Sequence, residues 1–145
     1  RTAQAELVAY LTAGAEPADL IAAADVLCYC GALAPVLAAA VRRLTPGGLL
    51  AFSLERHDGP EPMVVRESLR FAHKPGAVKA AVAAAGFSLV AFEEGVLRCD
   101  RGMPVAGLFV LASLPPATLP AAMGMDVELD SGTAAELEAA PRLDC

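Results

Sequence analysis

The chain has 145 residues, 56% of them hydrophobic and only 5% aromatic, with no Trp and a formal net charge of −6. That length suits one domain, and the abundant Ala makes a broad core that buries little area per residue. An acidic chain with no Lys/Arg cluster beyond Arg42-Arg43 argues against nucleic-acid or anionic-membrane binding.

Ala3 to Leu11 reads as the end of an amphipathic helix, with Leu7 and Leu11 one turn apart, and the segment Gly14 to Pro17 breaks it. The run Leu20-Ile21-Ala22-Ala23-Ala24-Asp25-Val26-Leu27 follows. Short continuous apolar runs read as strands buried on both faces, as in parallel sheets. The acid at its carboxyl end lies where open α/β sheets bind ligands. A membrane span over Leu20 to Val41 is rejected, because the segment holds Asp25, Gly31 and Pro35 and its period changes midway. Leu33, Leu37, Val41 and Leu44 share one face of a 3.6-residue period and predict a helix, with Pro35 in its first turn and Arg42-Arg43 complementing the dipole in its last. Pro46-Gly47-Gly48 ends it, and Leu49 to Leu54 is a second buried strand that runs into Glu55.

His57 to Glu61 reads as a loop, and Met63 to Ala72 as extended or irregular. A helix from Pro75 to Ala85 buries Val78, Val82 and Ala85 and closes at Gly86. Ser88 to Glu93 and Val105 to Ala112 form two further strands, joined as an antiparallel hairpin through Asp100-Arg101-Gly102. From Leu114 to Cys145 the composition shifts to scattered Pro, Gly, Ala and acids, which predicts a mostly disordered tail with a short helix near Thr133 to Ala139. Domain 1–113 is thus followed by tail 114–145.

The cysteines are Cys28, Cys30, Cys99 and Cys145; Cys28-Tyr29-Cys30 lacks zinc spacing, His57 and His73 stand apart, and no metal site is expected. The chain opens on Arg1 without an apolar signal region, so the start of the gene product is expected to be missing and a cytoplasmic setting is the default.

Five segments carry a family resemblance. Asp19-Leu20-Ile21-Ala22-Ala23-Ala24-Asp25-Val26-Leu27 and Leu44-Thr45-Pro46-Gly47-Gly48-Leu49-Leu50 resemble the fourth strand and the turn before the fifth strand of class I S-adenosylmethionine-dependent methyltransferases. Arg70-Phe71-Ala72-His73, Ala84-Ala85-Gly86-Phe87 and the stretch Leu97 to Gly107 are similar to a bacterial type 11/12-like subgroup, often fused to tetratricopeptide repeats. The resemblance covers roughly Ala3 to Ser113. It implies an α/β fold: a partial Rossmann-like methyltransferase sheet of strands four to seven, with an antiparallel C-terminal hairpin and without the first βαβ half. The family's glycine-rich cofactor loop and its ribose-binding acid have no counterpart here, since only about two dozen residues precede Asp25. The expected cofactor is S-adenosylmethionine, and the methyl acceptor is unknown. The strand from Leu20 to Leu27 would present a bare edge, open to a homodimer or a partner chain.

Through the resemblance, Asp25 lines the cofactor pocket, Ala24 and Val26 supply backbone and wall, and Tyr29 offers a ring to the sulfonium. Glu55 and His73 are the candidate catalytic groups, as orienting acid and proton acceptor. Arg70 is the candidate clamp for a substrate carboxylate, and Arg98 reads as structural. Each has a plainer alternative: a turn-capping Asp25, a helix-covering Tyr29, a solvated Glu55, a His73 that supports a helix start, a surface Arg70. A truncated, inactive interaction module with the same fold is the competing function. A nicotinamide-dependent reductase fits the Arg70 to His73 segment and the terminal hairpin badly.

Overall fold

The computed structural model describes residues 4–14 and 16–116. The tail from 117 onward, with the helix expected near Thr133 to Ala139, lies outside the described residues. The elements in order are α1 (Leu7–Ala13), β1 (Ala18–Ala23), a 3-10 turn (Leu27–Tyr29), α2 (Ala34–Arg43), β2 (Leu44–Arg56), β3 (Met63–Val65), β4 (Phe71–His73), α3 (Pro75–Ala84), β5 (Ser88–Asp100) and β6 (Met103–Ser113).

β2 is the organising strand. β1 runs parallel to its first part, from Ala18 opposite Leu44 to Ala23 opposite Phe52. β4 runs parallel to its carboxyl end, at Glu55 and Arg56. On the other side β6 runs antiparallel to Leu49 through Glu55, and β5 closes the sheet antiparallel to β6. Among the described residues the outer edge of β1 carries no strand. This is the expected partial Rossmann-like sheet with its terminal hairpin.

Every helix covers the same face. Leu11 of α1, Val36 and Leu37 of α2 and Val78 and Val82 of α3 form one core with Leu50, Phe52, Leu54, Leu108, Val110 and Ala112 of the sheet. The period of two along β2 and β6 puts Ala51, Phe109 and Leu111 on the opposite face. There a hollow of about 300 Å³ is lined by Ala22, Ala24, Ala51, Ala91, Phe109 and Leu111. The prediction that β1 is buried on both faces is therefore corrected. Leu20 is 56% exposed, and Ala22 on the same side is exposed too.

The end of β1 also differs from expectation. The strand stops at Ala23, because Asp25 takes φ +52° and its N–H is bonded to the Ser53 side-chain Oγ at 2.9 Å instead of to a backbone carbonyl of β2. The chain then turns inward and buries Leu27 and Cys28. Met63 to Ala72, unassigned from its sequence, contains the β3–β4 hairpin, and His73 ends β4 rather than merely preceding a helix. Helix α2 ends at Arg43 with Leu44 as its extended C-cap, before Pro46 is reached. Gly47, at φ +82°, donates to Leu114 O, and Gly48 O accepts from Leu114 N–H, so the two glycines extend the β2–β6 ladder.

Candidate functional site

Parallel β1 and β2 deliver Asp25 and Glu55 to the same end of the sheet, the carboxyl end where open α/β sheets bind ligands. Two arginines join them. Arg98 Nη1 donates to Asp25 Oδ1 at 2.6 Å, and Arg98 Nη2 donates to Glu55 Oε1. Arg66 Nε lies 3.2 Å from Glu55 Oε2, and Arg66 Nη2 donates to Arg56 O at 2.7 Å. The result is an alternating row, Asp25–Arg98–Glu55–Arg66, in which each acid faces a guanidinium.

Local chain geometry aims Arg98. The β5–β6 register slips between Val96 and Arg98, which leaves Leu97 as a bulged residue. A bulge re-aims the side chain beside it. Gly107 permits this one, because a Cβ there would stand 2.6 Å from the Leu97 Cβ.

Glu55 was expected to orient a substrate nucleophile or act as a base. It is 1% exposed and both its oxygens face guanidinium groups. No oxygen is left to take an acceptor's proton, so its geometry suits anchoring rather than proton transfer. His73 is likewise sealed, at 4% exposure. Its Nε2 bonds Gly31 O at 3.0 Å, while Nδ1 is buried without a partner among the described residues. The ring ties β4 to the Gly31 loop and has no open path to an acceptor.

Burial lowers the His73 pKa, against a smaller opposing contribution from the Gly31 bond. The unfolded chain therefore binds a proton at higher pH than the folded one. Stability is unaffected above about pH 6.5 and falls as pH drops from there toward the lowered folded value. His73→Gln should flatten this part of a stability–pH curve measured by urea titration; an unchanged slope between pH 6.5 and 5 would assign it to another group.

Tyr29 and Arg70, expected on the cofactor and substrate sides respectively, meet each other. Arg70 Nε donates to Tyr29 Oη at 3.2 Å, and its guanidinium carbon sits 5.5 Å from the ring centroid. The bond to Tyr29 raises the Arg70 pKa, and the nearby Asp25 charge adds to this. Ala24 and Val26 flank Asp25 and are exposed. Cys28 is fully buried, and its Sγ donates to Asp25 Oδ1 at 3.5 Å. Burial and then the Asp25 charge push its thiol pKa up, so it is an unreactive support. Among the described residues no group of three His, Cys, Asp or Glu side chains is placed to hold a metal ion.

Sequence reasoning thus missed Arg98 and Arg66 as members of the site. Arg98 lies 73 and 43 residues from its two partners, a separation that no local pattern encodes. The apolar hollow on the open face touches Ala24 but has almost no polar lining, which suits packing rather than a charged ligand.

No family model and no curated protein sequence matches the chain. Solved structures do. The 1,6-didemethyltoxoflavin-N1-methyltransferase of Burkholderia thailandensis, with S-adenosylhomocysteine bound, superposes with TM-score 0.58 at 18% identity over 72% of this chain and 48% of its own. The N-methyltransferase NodS of Bradyrhizobium japonicum WM9, also with S-adenosylhomocysteine, gives 0.56 at 19% identity over 78% and 53%. The glycopeptide N-methyltransferase MtfA in complex with S-adenosylmethionine gives 0.57 at 15% identity over 78% and 64%. The chain spans about half to two-thirds of the length of these structures. Its fold is that of a class I S-adenosylmethionine-dependent methyltransferase, present as a partial Rossmann-like sheet.

Proposed function

We propose that the chain forms one wall of the catalytic site of an S-adenosylmethionine-dependent methyltransferase. The observation that supports this is the position of Asp25: at the carboxyl end of the parallel pair β1–β2, half-exposed, with its backbone and one oxygen held by other strands. The residues present fit one side of the cofactor. Ala24, Val26 and Tyr29 offer exposed surface, and Asp25 offers a fixed acceptor. The glycine-rich loop that would hold the rest is not among the described residues. When bound, the cofactor supplies an electrophilic methyl group. Arg70, braced by Tyr29 at the same rim, is the group of this chain suited to an acidic acceptor. Glu55 and His73 hold the wall in shape. A cytoplasmic location goes with this reading.

Calorimetric titration of S-adenosylhomocysteine into the chain tests it. Micromolar binding that Asp25→Asn weakens about tenfold is expected, the loss of one charge-assisted hydrogen bond. Absence of binding to a folded sample would exclude this chain alone as a cofactor site.

A second reading, an interaction module, is favoured by the bare edge of β1. No described helix is long and apolar enough to cross a membrane. A strand from a second copy or a partner chain would cover Leu20 and pair the free backbone. Leu20→Lys places a charge there and removes apolar burial worth about 1.5–3 kcal/mol. Self-association seen by sedimentation equilibrium should weaken tenfold or more. Equal association of both proteins would clear the edge of any role.

A further inference from the structure

Asp25 is held more firmly than a solvated acid needs. A non-glycine residue at φ +52° carries backbone strain, and such strain persists only where the surroundings over-determine it. Here Ser53 Oγ holds the backbone N–H from β2, and Cys28 Sγ and Arg98 Nη1 both engage Oδ1. Among the described residues no donor reaches Oδ2. Arg98 is itself anchored through Glu55 to Arg66, and its aim is set by the Leu97 bulge over Gly107. So β2, β5 and a tight backbone approach at Gly107 of β6 converge on the orientation of a single carboxylate.

We propose that Arg98 is a positioning residue. It fixes the Asp25 carboxylate so that Oδ2 is presented as an acceptor for an N–H or O–H donor of the ligand bound at this end of the sheet. An ammonium, amine or hydroxyl group meets that requirement. The inference rests on Asp25 facing the ligand, as proposed above. It assigns the terminal β5–β6 hairpin a part in ligand geometry, since the hairpin contributes the guanidinium. Lys cannot replace Arg here, because a single ammonium lacks the fork that spans two carboxylates.

The test is S-adenosylhomocysteine calorimetry on the wild type, Arg98→Lys, Arg98→Ala, Asp25→Asn and the Arg98→Ala/Asp25→Asn pair, with a melting curve for each. Arg42→Ala, on α2 and bonded to Thr12, is the control. Both Arg98 variants should weaken affinity about tenfold. The double variant should bind no more weakly than Asp25→Asn, because Arg98 acts through Asp25. The control should bind as wild type does. Additive losses, or Arg98 variants that melt earlier yet bind normally, would reduce Arg98 to a staple and overturn the proposal. Should the wild type not bind at all, the cofactor reading fails, and nitrogen NMR of the arginine side chains decides the positioning. Two resolved Arg98 Nη signals, of which the Nη1 signal shifts in Asp25→Asn while the Glu55-held Nη2 signal stays, uphold it; one averaged signal in the wild type overturns it.

Discussion

Glu55→Ala should cost about 3 kcal/mol of unfolding free energy, the low end of what breaking a buried ion pair costs. The carboxylate is 1% exposed and faces two guanidinium groups. Its loss leaves Arg98, whose side chain is 20% exposed, without its anchor in a poorly hydrated position. Arg66 is 45% exposed at its side chain and recovers water, so it adds little. Glu55→Gln keeps an acceptor oxygen for Arg98 and should lose roughly half as much. Chemical denaturation of the three proteins measures both steps. A loss below about 1 kcal/mol for Glu55→Ala would mean that the row of charges is not formed in solution. That result would also remove the basis for Arg98 as a positioning residue, since Arg98 would have nothing to brace it.

The network also marks where reading the sequence stops. Helices α2 and α3 were legible because Leu33, Leu37, Val41 and Leu44, and then Val78 and Val82, repeat at the helical period between proline and glycine stops. The β5–β6 hairpin was legible from Asp100-Arg101-Gly102 between apolar runs. The order of strands came from family resemblance, since spacing alone does not distinguish which strands pair. The end of β1 was not legible. What stops it is the hydroxyl of Ser53, 28 residues away, which captures the Asp25 N–H. Strands β3 and β4 are three residues each, too short for a period to show. Glu55, a plain acid at a strand end by sequence, is sealed because two arginines from distant segments close over it. For the end of β1 and for Glu55 the missing information is a long-range polar contact, and apolar periodicity carries none of it.

The core has one side, and a pair of adjacent residues on β6 exposes the consequence. Leu108 points to the helices, is fully buried, and lies opposite Leu54. Leu108→Ala should cost about 3 kcal/mol, from lost transfer energy plus the cavity left among α-helical side chains. Phe109 points to the open face and remains 39% exposed above the alanine-lined hollow. Removing this larger side chain should cost only about 1 kcal/mol, because much of its surface is already in water and the site leaves no closed cavity. The larger truncation thus has the smaller effect, an inversion that volume alone does not produce. Urea denaturation at low protein concentration measures it. Equal losses at both positions would show that the face bearing Phe109 is covered in solution. Because a self-associated sample gains stability with concentration, repeating the measurement tenfold more concentrated tells which cover is present. A Phe109→Ala penalty that grows with concentration points to a second copy. One that stays constant points to a cover within the same chain, and the single-sided core would then have to be abandoned.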